Sequence, residues 1–163
     1  MHVLMSALKE VHKVEPAIRL HIAGPVIEKA YARKILKEVN NNPWMEYLGE
    51  IPHKKIASFY NSIYIYINAS TSEGTSNSIL EAMGFQKCVL ASDMEGNRAV
   101  IKNGKNGFLF TSHEELIKKA GYLISHRTLR NHAGKRAYKY ARHHHSAEQE
   151  AKLYEELYSE CLT

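Results

Sequence analysis

The chain has little with which to cross-link itself or to enter a bilayer. Its 163 residues include two cysteines, Cys88 and Cys161. Two are too few for a disulfide framework, and a reducing compartment is the expectation. No apolar run reaches membrane-spanning length, and Met1-His2-Val3 does not open a signal peptide, so a cytoplasmic place is expected. Internal repeats, low-complexity tracts and linkers long enough to divide the chain are missing as well. Residues 1–163 therefore read as one domain, large enough to bury a real core. No G-x-G-x-x-G follows the first visible strand. Gly24-Pro25-Val26-Ile27-Glu28 does not fit that pattern, which disfavours an ordinary dinucleotide-binding domain.

Hydrophobic residues make up 44% and charged residues 24%, the balance of a globular protein, and the net charge of +5 leans toward anionic partners. The basic residues are scattered. Their densest group, Lys135 to His145, contains Arg136, Lys139, Arg142 and three consecutive histidines. It reads as a solvated helix face, with peripheral membrane contact as the alternative. Nucleic acid is not expected, because the aromatic residues recur at helical rather than sheet spacing. His143, His144 and His145 cannot share one helix face, so no metal site is expected there.

Helical and strand patterns alternate along the chain. Val3, Leu4, Ala7, Leu8 and Val11 recur at helical spacing, and Pro16 ends that helix. Ile18 to Gly24 reads as a buried strand closing in a glycine turn. Residues 27–39 are helical, 45–49 a short strand, and Pro52 suits the first turn of a helix over 53–61. Ile63-Tyr64-Ile65-Tyr66-Ile67 is apolar on both faces, as in a central parallel strand. Cys88 to Ala91 and Phe108 to Phe110 are further short strands, and the pattern is helical from Glu114 to the end. Such alternation implies an α/β fold, a parallel sheet with helices on both faces. Ligands of these sheets bind at the carboxyl ends of strands.

The segment that follows Ile67 is the most informative. In Ser72-Glu73-Gly74-Thr75-Ser76-Asn77-Ser78-Ile79-Leu80-Glu81, two glutamates stand eight positions apart around a loop-to-helix junction. A helix start offers free main-chain N–H groups to a phosphate. The acidic side chains can accept hydrogen bonds from sugar hydroxyls. The segment resembles the paired-glutamate signature of the glycosyl transferases group 1 family (glycosyltransferase family 4). Three other stretches in the same order strengthen the resemblance: Ile22-Ala23-Gly24, Tyr47-Leu48-Gly49 with Ile51, and Asn103-Gly104-Lys105-Asn106-Gly107-Phe108-Leu109, similar to the family's NGxxGxL turn. Gly49-Glu50-Ile51 and the stretch from Ser92-Asp93 to Gly96-Asn97-Arg98 look closest to glycosyltransferase 1 domain-containing proteins.

The resemblance implies the C-terminal, donor-binding half of a GT-B enzyme, with a Rossmann-like sheet. It implies retaining hexosyl transfer from a UDP-, GDP- or ADP-sugar to an unknown glycan, lipid or protein acceptor, with no metal cofactor. Glu73 would be the catalytic residue, bonding sugar hydroxyls, unless it is an exposed loop carboxylate. Gly74, Thr75, Ser76 and Asn77 would supply the phosphate cradle. Glu81 would accept from the ribose diol; its other reading is a capping box with Ser78. Ile51 would pack on the base while main-chain groups of Gly49, Glu50 and Ile51 read its edge, or it is simple core. Arg98 would reach phosphate, or form a surface salt bridge. His53 and Lys55 are weaker candidates near the base loop. Cys88 reads as core, and the sequon Asn68-Ala69-Ser70 has no signal peptide to support its use.

The family's domain opens with a strand and a loop carrying a basic pair, whereas this sequence begins inside the helix that would follow them. In a doubly wound sheet that strand would be central, beside Leu20 and Ile65. Three outcomes are expected: those two strands close up, another chain supplies the strand, or the chain is a piece of a longer one. An N-terminal domain partner or a homo-oligomer would complete the molecule. The rival functional reading is a non-catalytic nucleotide- or sugar-binding subunit that works with a separate partner.

Overall fold

The computed structural model describes residues 1–70, 74, 76–146, 149, 151, 154, 155, 158 and 159. Helix α1 (His2–Val14) buries Leu4, Met5, Ala7, Leu8 and Val11 on one face, and His12 stacks on Trp44 with ring centroids 4.3 Å apart. Strand β1 (Leu20–Ala23) follows, then α2 (Lys29–Asn40), which starts later than its apolar pattern suggests and leaves Ile27 92% exposed before it. Strand β2 (Met45–Gly49) runs parallel to β1, with Leu20 opposite Met45 and a register slip between Ile22 and Ala23.

A short 3-10 helix (His53–Lys55) capped by Pro52 leads into α3 (Ile56–Ser62). Strand β3 (Ile65–Asn68), α4 (Asn77–Gly84), β4 (Cys88–Ser92), α5 (Glu95–Val100) and β5 (Phe108–Phe110) complete the alternation. Helices α6 (His113–Ser125) and α7 (Arg127–His144) follow.

The parallel pairing forms two sheets rather than one. Strand β1 pairs with β2, and β3, β4 and β5 form a second, three-stranded sheet. Ile63 to Ile67 is therefore not a central strand. Ile65, Tyr66 and Ile67 are only half-buried, while the central place belongs to β4, whose Cys88, Val89, Leu90 and Ala91 are at most 1% exposed. Each large apolar side chain buried there contributes about 1.5–3 kcal/mol. Burial also pushes the Cys88 thiol up to about 12, with Arg130 nearby pulling weakly the other way.

Strand alternation divides two cores between the faces. Ile65, Ile67 and Leu90 pack with α1 and α6, whereas Ile63, Tyr66, Val89 and Ala91 pack with α3, α4 and α7. Helix α7 approaches closely because Ala133, Gly134, Ala137 and Ala141 make its buried side small. A Cβ on Gly134 would lie 2.0 Å from the carbonyl oxygen of Gln86, itself at φ 57°.

Among the described residues the helical pattern after residue 114 is broken at His126 and again at His145 and Ser146. The side chain of Arg130 accompanies the first break: its Nη1 donates to the carbonyl of Leu123 at 2.6 Å and to that of Ile124, capping the end of α6. The start of α6 is capped by Ser112, which accepts from the Glu115 N–H at 3.1 Å. The Asn103–Gly107 turn is held by its own asparagines. Asn103 Oδ1 accepts from the Leu109 N–H at 3.0 Å, and buried Asn106 accepts from the Lys102 N–H at 2.7 Å and donates to the Val100 carbonyl at 3.0 Å.

Candidate functional site

The carboxyl ends of β1, β2 and β3 come together at two corners and a helix start. At the first corner, the Gly24 N–H donates to the Gly49 carbonyl at 2.9 Å, and the Tyr47 hydroxyl donates to the Gly24 carbonyl at 2.7 Å. Gly49 has φ 70°, a conformation that side chains with a Cβ adopt at a cost, so it turns the chain sharply into Glu50 and Ile51. Glu50 is exposed and Ile51 half-buried.

At the second corner, Asn68 is 8% exposed and bonded on both sides. Its Oδ1 accepts from the Ser70 N–H at 2.9 Å and its Nδ2 contacts Ser76 Oγ at 3.5 Å. The Ser92 hydroxyl donates to the Ser70 carbonyl at 2.5 Å, which ties the end of β3 to the end of β4. The sequon asparagine is thus a buried structural link.

Helix α4 begins after Ser76, whose extended backbone makes it the N-cap without a side-chain capping bond. Its hydroxyl lies 2.9 Å from that of Ser78, which accepts from the Tyr66 hydroxyl at 2.7 Å. Asn77, the first helical residue, and Gly74 are exposed. Glu73 and Thr75 lie outside the described residues.

Glu81 does not form a capping box with Ser78, since the helix starts two residues earlier than that box requires. Its Oε2 accepts instead from the hydroxyl of Tyr60 at 3.0 Å, and the same hydroxyl is 3.2 Å from the Ser78 carbonyl. Tyr60 is 3% exposed and stacks on Phe85, with centroids 5.2 Å apart. Burial and the Glu81 carboxylate push the phenol well above its ordinary range, so Tyr60 remains a donor at any physiological pH.

A cavity of about 950 Å³ runs between the two sheets, and Gly24, Ile51, Asn68, Ser70, Ser78 and Glu81 all line it. Of the residues singled out by sequence, Ile51 and Glu81 border this one hollow, with Ser76 behind it in the hydroxyl network and Gly49 and Glu50 beside it. Arg98 is elsewhere. It sits on α5, its side chain 60% exposed, with Nε bonded to Asp93 Oδ1 at 2.6 Å, so the expected ion pair is present. Its neighbour Asn97 is fully buried and donates to the Ser92 carbonyl at 2.9 Å, a core link rather than a ligand group. His53 and Lys55 lie on the exposed 3-10 helix. Among the described residues no group of three or more His, Cys, Asp or Glu side chains could hold a metal ion, and no helix is long and apolar enough to cross a membrane.

Sequence reasoning missed Tyr60, Tyr66 and Asn68. Tyr60 falls inside the helix expected over 53–61 and Tyr66 inside the apolar strand pattern of 63–67, with no site role for either. Their hydroxyls become informative only when α3 and β3 are brought against α4.

A parallel α/β domain with helices on both faces and its polar groups collected at the strand ends has a Rossmann-like fold. The glycosyl transferases group 1 family matches residues 1–140, and the chain belongs to that family. It is 30% identical over 146 residues to glycosyltransferase 1 domain-containing protein 1 of Xenopus tropicalis, covering 90% of this chain and 42% of that one. It is 31% identical over 107 residues to the GtfA subunit of a UDP-N-acetylglucosamine–peptide N-acetylglucosaminyltransferase from Streptococcus agalactiae, covering 65% and 21%. The chain thus spans less than half the length of these relatives. Among solved structures, Anabaena HepE in complex with UDP and glucose superposes with a TM-score of 0.87 at 21% identity, over 98% of this chain and 44% of that one. The C-terminal domain of the group 1 protein LpcC from Francisella tularensis does so at 0.79 and 22%, over 89% and 78%. The fold is that of the C-terminal Rossmann-like domain of GT-B glycosyltransferases.

Proposed function

We propose that this domain binds the nucleotide-sugar donor, a UDP-, GDP- or ADP-sugar, of a retaining family 4 hexosyltransferase. The observation that carries the reading is the placement of Glu81. Its carboxylate is clamped by Tyr60 and borders the same hollow as Ile51, Gly24 and Ser70, at the strand ends where such sheets take ligands. Glu81 accepts from the ribose diol, with one oxygen already oriented by the phenol. Ile51 packs on the base, and main-chain groups of Gly49 and Glu50 meet its edge. N–H groups of Gly74, Thr75, Ser76 and Asn77 at the start of α4 receive the diphosphate. Glu73 bonds the transferred sugar. The leaving diphosphate is stabilised by the helix end rather than by a bound metal. Solved structures of the same fold that hold UDP support this reading.

Donor and acceptor must be held together for transfer, and that proximity supplies much of the rate. The chain alone is therefore expected to bind donor but to transfer sugar poorly. Thermal-shift titration with UDP, GDP, ADP and NAD tests the class. A nucleoside diphosphate should raise the melting temperature; stabilisation by NAD alone would overturn the reading.

A second reading is a non-catalytic subunit paired with a separate chain. Its pairing with a separate chain, though not its lack of catalysis, is favoured by the similarity to proteins described as a GtfA subunit and to the GtfA/B complex, which superposes with a TM-score of 0.81. Sugar transfer by the isolated chain would eliminate it.

A further inference from the structure

The excess positive charge of this chain is gathered on one helix. Helix α7 carries six of the 22 lysines and arginines and none of the 17 acidic residues, so the remainder, with 16 against 17, is close to neutral. No Asp or Glu occurs between Glu115 and Glu148.

The small residues of α7 decide where that charge points. Ala133, Gly134, Ala137 and Ala141 are buried against the domain, which turns the charged side outward. At 3.6 residues per turn, Lys135, Lys139 and Arg142 fall within about 60° of arc on the side away from those residues. All three are exposed, as is His132 in line with them. Arg136 borders the stripe, and its Nε donates to the Lys105 carbonyl. That bond sets the turn carrying the exposed Lys102 and Lys105 beside the helix. Among the described residues, ion pairs hold Lys9, Lys13, Arg98 and Lys119, and none holds a cation of α7.

What this face lacks selects its partner. Tyr138 and Tyr140 are half-buried, so no exposed aromatic ring of α7 offers a base a stacking platform. No large apolar side chain of α7 is exposed to seat a partner helix or to enter an acyl layer. Nor is there a pocket suited to a single phosphate. The hollow of about 330 Å³ beside Arg142 and His145 sits at the carboxyl ends of α4 and α7, whose partial negative charge opposes an anion. What remains is a row of long-stemmed cations on an 18-residue helix, on the order of 27 Å from end to end. Such a row matches a broad plane of negative charge, to which each lysine or arginine near the surface adds its own attraction.

We propose that the outer face of α7, with the adjoining 102–105 turn, adsorbs this domain onto an anionic phospholipid surface. Headgroups meet Lys135, Lys139 and Arg142, and no part of the helix enters the hydrocarbon. The contact is therefore electrostatic and is reversed by salt.

The test is co-sedimentation of the full chain, at low salt, with phosphatidylcholine vesicles containing about 30% phosphatidylserine. Binding to these is expected, and not to phosphatidylcholine alone. Lys135→Gln, Lys139→Gln and Arg142→Gln combined should weaken binding roughly tenfold or more, and Lys139→Gln alone severalfold. Glutamine is a good helix former and these side chains face solvent, so the fold is kept. Lys135→Arg, Lys139→Arg and Arg142→Lys combined should bind as the wild type does. The control removes equal charge from exposed positions of α2: Lys29→Gln, Arg33→Gln and Lys37→Gln combined should change binding by less than about twofold. Four results would overturn the proposal. One is no binding at low salt. Another is equal binding to neutral vesicles, meaning apolar adsorption. A third is equal weakening by the α2 control, meaning net charge rather than this face. The last is displacement from the vesicles by duplex DNA, polyglutamate or inorganic phosphate at constant ionic strength, each meaning that another anion fits the face better.

Discussion

The hydroxyl of Tyr60 stands 3.0 Å from Oε2 of Glu81, joining the end of α3 to the middle of α4. The bond fixes a carboxylate that is otherwise on an exposed helix face, and the phenol's own position is fixed by Phe85 stacked against it. Removing the hydroxyl alone, in Tyr60→Phe, keeps the ring contact. If Glu81 meets the ribose, that variant should weaken UDP binding by about 1 kcal/mol, roughly fivefold. Glu81→Ala should cost about 1–3 kcal/mol, as lost bonds to a charged acceptor do. Isothermal titration checks both, and unchanged affinity in both folded variants would remove Glu81 from the site.

On the proposed reading, main-chain N–H groups at the start of α4 hold the diphosphate without a bridging cation. Chelation by EDTA, or addition of magnesium, is expected to change the UDP dissociation constant by less than about twofold. A loss of tenfold or more on chelation would assign the phosphates to a metal instead.

The contact of Gly134 with Gln86 concerns stability alone. Gly134→Ala would drive a methyl group into a backbone carbonyl that is locked in the left-handed region. Overpacking of this kind costs about 1–3 kcal/mol, and the rigid neighbour places this case at the upper end. Urea unfolding should show a lower midpoint. Equal or greater stability would mean that α7 moves freely away from the loop.

Glu115 couples the start of α6 to acidity. Lys119, together with the Thr111 N–H and hydroxyl, holds its carboxyl down at about 2, from an ordinary 4.5. Folding therefore favours the ionised form. The contribution is complete above pH 4.5 and is lost as the pH falls toward about 2. Wild type should exceed Glu115→Gln in stability at neutral pH, and the difference should vanish at the acid end. A difference independent of pH would contradict the assignment.

The parts of the fold legible in the sequence were those with local causes. The spacing of Leu4, Ala7, Leu8 and Val11 foretells α1, and the glycines and asparagines of 103–107 foretell a turn because their side chains bond within it. Strand rank was not legible. Apolar faces on both sides suit a central strand, but whether β3 has neighbours on both edges depends on what else lies in the sheet. The break at His126 is accompanied by Arg130 reaching back to α6, and no periodicity reports that. At the candidate site, Glu81 and Ile51 stood out by their spacing within known patterns. Tyr60, which orients Glu81, lies 21 positions away and shares no motif with it. The ion pair of Arg98 with Asp93, five positions apart, shows only once α5 is placed after β4.

Cys88, at the inner end of β4, has a consequence for watching the molecule move. A sulfur that is 1% exposed and whose proton is held so firmly meets an alkylating reagent only when its strand leaves the sheet. With Cys161 replaced by serine, its labelling rate becomes a clock for opening of the central ladder. That clock should slow whenever anything seats itself between the two sheets.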